Sequence, residues 1–337
     1  MIKHHPENPN YKGWSGALCF FPSGLRQVLI KVPPKLQAEL IEIRLRVNQP
    51  LELNFGVKYR LIREDGQLTD DPDQALRIGT DDLNKTLNAF TTGSIYAIEQ
   101  ELAQGYLTLP GGHRVGLTGQ VFYDGESIRI IRNISSINFR IARPVLGIAR
   151  PILPFLWRKG HFFKTLILGA PATGKTSLLR EIIREVSVGV PELGISGIRV
   201  AVVDERSEIA GGYRGIPQLD IGPRTDVLDG CSKRDGVYLL LRTMNPQLIA
   251  TDEIGREEDW AIIEDIINAG VGFIATAHAG SLTEAALRPG LKKVLEMGAV
   301  ERIVTLSNRL GIGTIESIKP GMDGPELFNS KAVGLGR

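Results

Sequence analysis

The chain has 337 residues, which is enough for two ordinary domains. Hydrophobic residues make up 42% and charged residues 23%, which excludes a disordered chain. The 40 basic and 38 acidic residues leave a net charge of +2, so no dedicated nucleic-acid surface is indicated and nucleic acid is not an expected partner. The two cysteines, Cys19 and Cys231, are too few for a disulfide framework and fit a reducing compartment. The sequence has neither an apolar signal core nor a transmembrane segment of its own, and we expect a cytoplasmic protein.

The first part of the chain predicts a flexible arm over residues 1–24 and a small α+β domain over residues 25–142. Alternating apolar and polar residues around Asn48, Gln49 and Pro50 indicate a strand, a turn and a second strand. Residues 81–91 are typical of a helix that opens on an acidic cap, and residues 94–109 of a helix that runs into a strand. From residue 111 short strands follow, with a hairpin at Asp124-Gly125.

The composition changes after the first domain. Residues 143–158 contain three prolines and predict a linker. Residues 159–318 alternate apolar strand-like runs with helical stretches, which is typical of an α/β domain whose parallel sheet is covered on both faces. Residues 319–337 are left as a C-terminal tail.

A phosphate-binding loop lies between the first strand and the first helix of this second domain. Its sequence, GAPATGKT, fits the G-x-x-x-x-G-K-[ST] pattern of a P-loop in full. The glycines let successive backbone N–H groups point inward, and the helix N-terminus adds partial positive charge. Lys175 is predicted to hold the β- and γ-phosphates of ATP, and the Thr176 hydroxyl to ligate Mg²⁺. The predicted nucleotide-binding residues are Gly169, Ala170, Pro171, Ala172, Thr173, Gly174, Lys175, Thr176 and Ser177.

Two later strands each end in a pair of carboxylates. "RVAVVDE" ends in Asp204-Glu205 and "QLIATDE" in Asp252-Glu253. Ligands of open parallel sheets sit at the C-terminal edge of the strands. One carboxylate is therefore expected near Mg²⁺, and another is expected to orient and deprotonate the attacking water. His278 ends a third apolar run and is predicted to contact the γ-phosphate or that water.

An arginine is expected to neutralise charge that develops on the transferred phosphoryl group. The sequence leaves several candidates open. They are Arg206, Arg214, Arg224, Arg234 and Arg242 in the second domain, and Arg114, Arg129, Arg132 and Arg140 in the first.

Taken together, these motifs resemble the type II and type IV secretion ATPases. The P-loop, "VVDERSEIAG", "LLLRTMNPQLIATDEIGRE" and "ATAHAGS" stand in the order of that family's P-loop, Asp box, Walker B and His box. The resemblance implies a RecA-like P-loop ATPase domain with a parallel sheet, preceded by a smaller α+β domain. It implies Glu205 as the base that activates water, Glu253 as the Walker B acid and His278 as the γ-phosphate sensor. Where the family often has a glycine before the Walker B glutamate, this chain has Asp252, so both Asp252 and Glu253 join Thr176 as candidate metal ligands.

Within this family, "GGHRVGLTGQ" and "DIGPRTDVLDGCSKRDG" are similar to a branch that acts in endospore formation. That resemblance implies a homo-hexameric motor with membrane-embedded channel proteins as partners, on the mother-cell side of the forespore membrane. It also implies that an arginine of the first domain completes the site, with Arg114, Arg129 and Arg140 as candidates in that order.

Two other functions stay open at this stage. One is a nucleic-acid translocase or AAA-type remodelling ATPase, which DNA-stimulated turnover would favour. The other is a nucleotide switch with little turnover, which tight binding without hydrolysis would favour.

Overall fold

The structure is a computed structural model and describes residues 11–56, 58–91 and 99–330. These residues form two compact units. The first runs up to Arg143 and also takes in Gly211–Gln218, and the second comprises Pro144–Ala210 and the residues from Leu219 onward.

The first unit is built on an antiparallel sheet with the strand order β4-β3-β2-β1-β7-β6-β5. Its strands are β1 (Glu42–Arg46), β2 (Glu52–Asn54), β3 (Tyr59–Ile62), β4 (Leu68–Thr69), β5 (Tyr106–Leu109), β6 (His113–Asp124) and β7 (Ser127–Arg140). Its helices are α1 (Gly13–Ala17), a 3₁₀ turn (Leu18–Phe20), α2 (Ser23–Leu29), α3 (Pro34–Glu39), α4 (Thr80–Thr91) and α5 (Glu99–Gln104).

Several predicted elements of this unit are present. A turn at Asn48, which has φ of 61°, joins β1 to β2, and a two-residue turn after Asp124 joins β6 to β7. The acidic residues Asp81 and Asp82 lie in the first turn of α4. Of the predicted helix and strand over residues 94–109, α5 and β5 are seen, whereas residues 94–98 lie outside the described residues.

The expectation of a flexible arm over residues 1–24 is wrong for residues 11–24. Tyr11, Phe20 and Phe21 are buried in the core of the first unit, where Phe20 and Phe21 contact Phe139 at ring distances of 6.1 and 5.0 Å. Burial of these aromatic side chains stabilises the segment by about 1.5–3 kcal/mol each, which its proline-rich composition does not reveal. Residues 1–10 lie outside the described residues.

The second unit contains an eight-stranded sheet with the order β12-β11-β13-β14-β10-β15-β16-β17. The six strands β10 to β15 are parallel to one another, and β16 and β17 are antiparallel additions at one edge. Its strands are β8 (Trp157–Arg158), β9 (His161–Phe162), β10 (Thr165–Gly169), β11 (Val200–Asp204), β12 (Thr225–Asp229), β13 (Leu248–Thr251), β14 (Gly272–His278), β15 (Arg302–Ser307), β16 (Thr314–Lys319) and β17 (Phe328–Asn329). Strands β8 and β9 form a separate hairpin.

Helices cover both faces of this sheet. They are α6 (Leu153–Leu156), α7 (Lys175–Val188), α8 (Lys233–Thr243), α9 (Asp259–Asn268), α10 (Leu282–Leu287) and α11 (Pro289–Glu296), with a 3₁₀ turn at Pro191–Leu193. Apolar residues of α6 and α7 belong to one core cluster, and those of α8, α9 and α11 to another. Because each central strand is buried on both sides, its sequence is continuously apolar, as predicted.

The structure differs from the predicted linker and tail. Residues 144–158 belong to the second unit, and Ile152, Leu153 and Leu156 are fully buried there, so this stretch is part of a core. The folded second unit also extends past residue 319, because β17 pairs with β16 and Phe328 contacts Phe155 at a ring distance of 6.2 Å. Paired β-strand hydrogen bonds and this aromatic contact explain why residues 319–330 are ordered. Residues 331–337 lie outside the described residues.

Candidate nucleotide site

The predicted P-loop connects β10 to α7. Gly174 has φ of 88° and Ala172 of 59°, both in the left-handed region that lets the backbone turn back on itself. A Cβ atom on Gly169 would lie 2.4 Å from Thr173 Oγ1, so only glycine fits at the end of β10. The Thr173 hydroxyl donates to the Ala170 carbonyl at 2.8 Å and closes the loop. The loop from Gly169 to Ser177 therefore has the tight glycine-dependent curl that a phosphate cradle needs.

Lys175 is the first residue of α7, and its ammonium group turns back onto the loop. The side chain is buried, and Nζ donates to the carbonyls of Gly169 and Ala170, both at 2.9 Å. Burial lowers the pKa of the ammonium group, although the nearby carboxylates of Glu253 and Asp252 oppose this. A buried cation beside a strand end is a strong attractor for phosphate.

His278 links the P-loop lysine to the acidic strand end. Its Nδ1 lies 3.1 Å from Lys175 Nζ, and its Nε2 lies 3.0 Å from Glu253 Oε1. A lysine ammonium can only donate, so Nδ1 must accept and the proton on Nε2 must point to the glutamate. The three predicted residues therefore form one continuous hydrogen-bonded chain from the start of α7, through the end of β14, to the segment that follows β13.

Glu253 is held in an uncommon conformation. Its φ is 49°, and its backbone N–H donates to Thr276 Oγ1 of β14 at 2.9 Å. Its carboxylate also pairs with Arg206 at 2.5 Å. Burial would raise the pKa of this carboxyl, but the hydrogen bond from His278 and the charge of Arg206 outweigh burial and lower it. A left-handed glutamate is strained, and such residues cluster at functional sites.

Asp252, the residue before Glu253, is buried, and one of its carboxylate oxygens lacks a hydrogen bond within the described part of the chain. Its side chain is 3% exposed, and among the described residues Oδ2 has no hydrogen-bond partner. Burial, together with the charges of Glu208, Asp204 and Glu253, raises the pKa of the carboxyl to about 7. An unpartnered buried carboxylate oxygen at the C-terminal edge of the sheet suits an incoming cation.

The second acidic pair has two distinct roles. Asp204 is fully buried, and its carboxylate accepts from the backbone N–H groups of Glu208, Ile209 and Ala210 at 2.8–3.0 Å, so it shapes the loop that follows β11. Glu205 is half-buried and its carboxylate pairs with Lys233 at 2.6 Å. Because β11 and β13 are neighbours in register, Glu205 and Glu253 leave adjacent strands at the same edge.

These residues fit Mg²⁺ and a nucleoside triphosphate. The glycine curl and the buried ammonium of Lys175 match phosphate oxygens, and the hydroxyl of Thr176 with the free oxygen of Asp252 matches a cation that takes few protein ligands. With Glu205 and Glu253 alongside, the edge carries groups suited to binding phosphate, to binding a cation and to accepting a proton from water.

The arginine candidates divide by position. Arg206 lies in the site through its pair with Glu253. Arg224 does not, because its guanidinium donates to the carbonyls of Ser187 and Val188 at the far end of α7. In the first unit, Arg140 pairs with Glu42 at 2.8 Å, and Arg114 and Arg132 stack on Tyr106 and Phe122. The other four candidates are Arg129 on β7, Arg214 in the segment that belongs to the first unit, and Arg234 and Arg242 on α8.

Sequence reasoning missed the groups that hold the predicted residues. Lys233 is 7% exposed and faces Glu205, and Arg180 of α7 donates to the carbonyls of Glu208 and Ile209. Thr276 supports the backbone of Glu253. Of these groups, only Lys233 has a local signal in the sequence. It directly follows Ser232, whose hydroxyl accepts from the Asp235 N–H, and a serine in this position marks the start of the helix that carries Lys233.

The sequence matches a known family over most of its length. The profile of the family described as sporulation stage III, protein AA covers residues 18–322. Stage III sporulation protein AA of Bacillus subtilis strain 168 is 41% identical over 298 residues, which span 88% of this chain and 92% of that protein.

Two solved structures share the fold. The Legionella pneumophila ATPase DotB has a TM-score of 0.51 and 18% identity, over 79% of this chain and 72% of DotB. The pilus retraction motor PilT with bound ADP has a TM-score of 0.50 and 15% identity, over 83% of this chain and 76% of PilT. The second unit thus has the RecA-like fold of secretion ATPases, as predicted.

No helix within the described ranges has the length and apolar character needed to cross a membrane. The profile match and the Bacillus relative, taken with the site at the sheet edge, lead to one assignment. This chain belongs to the family of stage III sporulation protein AA.

Proposed function

We propose that this chain hydrolyses ATP in the presence of Mg²⁺ and is the motor of a secretion-type apparatus. The proposal is carried by the hydrogen-bonded chain from Lys175 through His278 to Glu253, which ties the phosphate cradle to the acidic edge of the sheet. In such an arrangement the residue that binds the γ-phosphate is coupled through His278 to a carboxylate that would hold Mg²⁺.

Each residue has a defined role in this proposal. Lys175 and the loop from Gly169 to Ser177 bind the phosphates. His278 senses the γ-phosphate when Lys175 turns toward that phosphate. Glu205 accepts the proton of the attacking water. Thr176, Asp252 and Glu253 would hold Mg²⁺, which neutralises phosphate charge when bound.

In the cell, the motor is proposed to energise or assemble the channel between mother cell and forespore during sporulation. It would act in the mother-cell cytoplasm as a homo-hexamer on membrane-embedded channel proteins. Membership in the sporulation family supports the process, and the fold shared with DotB and PilT supports a motor.

Steady-state ATP hydrolysis by the purified chain tests the proposal, with Glu205→Gln measured beside the wild type. Size-exclusion chromatography with light scattering on both proteins reports the oligomer with and without ATP. Turnover that disappears in Glu205→Gln, with a nucleotide-dependent oligomer, supports the motor. Turnover that rises only on addition of DNA would favour a nucleic-acid translocase.

A nucleotide switch with little turnover is the second candidate, and one observation favours it. Both candidate carboxylates are already paired with cations of the same chain, Glu205 with Lys233 and Glu253 with Arg206. While these pairs persist, neither carboxylate is free to contact water or Mg²⁺, so turnover would stay low. Tight ATP binding without hydrolysis, in the wild type and in Glu205→Gln alike, would establish the switch.

A further inference from the structure

We propose that the loop formed by residues 309–313, between β15 and β16, is the seat of the nucleobase, and that Ile312 and Leu310 contact the face of the base. This assignment rests on the proposed nucleotide site and adds to it the end of the ligand that the P-loop does not bind.

The order of strands in the sheet fixes the direction of the nucleotide. β10, which carries the P-loop, lies between β14 and β15. His278, Glu253 and Glu205 all follow strands on the β14 side. The γ-phosphate must face these residues, and the base lies at the opposite end of the nucleotide. The base therefore points toward β15 and the loop that follows it.

This loop contacts the P-loop directly. The N–H of Gly313 donates to the Thr173 carbonyl at 3.0 Å. A Cβ atom added to Gly174 would lie 3.2 Å from Ile312 Cγ2, so this side chain packs beside the turn that precedes Lys175. A group extending from the bound phosphates toward β15 would therefore pass close to Ile312.

The loop presents apolar side chains to solvent. Ile312 is 63% exposed and Leu310 is 51% exposed. Ligand sites are lined mainly by apolar groups, and a flat base covers such side chains while its polar edge stays free for hydrogen bonds. Burying these two side chains on binding favours the bound state through the hydrophobic effect.

The loop is held in position before any ligand arrives. Arg309 donates to Glu316 at 3.0 Å and to Ser330 at 2.8 Å. The Thr314 hydroxyl accepts from the Leu310 N–H and donates to the Gly311 carbonyl. A loop ordered by its own hydrogen bonds loses little entropy when a ligand binds.

Calorimetric titration of the full chain with ADP and, separately, with inorganic tripolyphosphate tests the assignment in the presence of Mg²⁺. Ile312→Ser should bind ADP about five- to tenfold more weakly, because its apolar contact with the base is lost. It should bind tripolyphosphate as the wild type does. Ile312→Phe, which enlarges the surface for stacking, should bind ADP at least as tightly as the wild type.

Val188→Ser is the matched control, since Val188 is 47% exposed at the end of α7, about 20 Å along the helix from the P-loop. Thermal unfolding of each variant checks the fold. Unchanged ADP affinity in Ile312→Ser would overturn the nucleobase seat, as would an equal loss of ADP and tripolyphosphate affinity. A wild-type chain that binds neither ligand would instead overturn the proposed function itself.

Discussion

Nζ of Lys175 lies 3.1 Å from Nδ1 of His278, although the two residues are 103 positions apart in sequence. Lys175 must leave its contacts with the loop carbonyls to bind phosphate. When it does, Nδ1 of His278 loses this donor, while Nε2 still has Glu253 as its partner at 3.0 Å. In the proposed function, the pair therefore couples nucleotide binding to the acidic edge of the sheet.

Removing the ammonium group tests the phosphate cradle. Lys175→Ala should weaken ATP binding at least about tenfold and abolish turnover, because charge-assisted hydrogen bonds to phosphate contribute about 1.5–3 kcal/mol each. Fluorescent-nucleotide titration measures the affinity. Lys292→Ala is the control, since Lys292 is solvent-exposed on α11. Equal ATP affinity in the wild type and Lys175→Ala would exclude this P-loop as the phosphate site.

The two glutamates at the sheet edge should respond differently to amide substitution. Glu205→Gln should keep ATP bound while hydrolysis falls by about 10²- to 10⁴-fold, the usual effect of removing a general base. Glu253→Gln should lower the rate of hydrolysis and, in addition, weaken the Mg²⁺ dependence of ATP binding. Single-turnover hydrolysis and Mg²⁺ titrations separate the two effects. Normal hydrolysis by Glu205→Gln would move the role of base to Glu253.

Lys233 is expected to position Glu205, whose carboxylate it contacts at 2.6 Å. Lys233→Met keeps the length of the side chain and removes its charge, so it should lower kcat at least about tenfold with little change in ATP affinity. Lys233→Arg should restore much of the rate, and a shift of the pH–rate profile in Lys233→Met reports the altered carboxylate. If kcat and its pH profile are unchanged in Lys233→Met, this ion pair has no part in hydrolysis.

Asp252 should destabilise the ligand-free protein at high pH. The pKa of its carboxyl is raised from its ordinary value of 3.8 to about 7, so between these pH values the folded state keeps a proton that the unfolded state releases. The free energy of unfolding should therefore fall by about 2–4 kcal/mol as pH rises from about 4 to 7. At pH 8, Asp252→Asn should unfold at a higher temperature than the wild type, yet bind Mg²⁺-ATP more weakly. Wild-type stability at pH 8 in Asp252→Asn, measured without Mg²⁺, would contradict a buried charge.

His113 gives the opposite pH dependence in the first unit. It is fully buried, its Nε2 lies 2.7 Å from the Tyr11 carbonyl, and its Nδ1 accepts from the Ala142 N–H at 3.1 Å. Burial lowers the pKa of the imidazole to about 4, despite the hydrogen bond to Tyr11. Stability should be complete above about pH 6.5 and fall by about 3 kcal/mol as pH falls to 4.

Denaturant unfolding of the wild type and His113→Gln between pH 7 and pH 4 measures this loss of stability. The variant has no imidazole to protonate, so its stability should fall less steeply than that of the wild type. Parallel curves for the two proteins would show that His113 does not titrate on unfolding.

The sequence alone determined those elements whose place in the fold leaves a pattern in neighbouring residues. The P-loop pattern predicted the curl because both glycine requirements arise within the loop: Gly174 has a positive φ, and Thr173 leaves no room for a Cβ atom on Gly169. The apolar runs predicted β10, β11, β13 and β14 because strands buried on both faces are apolar at every position. Strand ends then placed Glu205, Glu253 and His278 at one edge, since parallel strands share their C-terminal side.

Only the tertiary structure decided which groups meet at that edge. Lys233 lies 28 positions from Glu205, and Ile312 lies 138 positions beyond Gly174, so neither contact is written in a local pattern. The segments predicted as arm and linker were misjudged for the same reason, because Phe20 and Leu153 are buried by residues remote in sequence. Local patterns record backbone geometry and periodic burial, whereas ion pairs and cores depend on which distant segments the fold brings within a few ångströms.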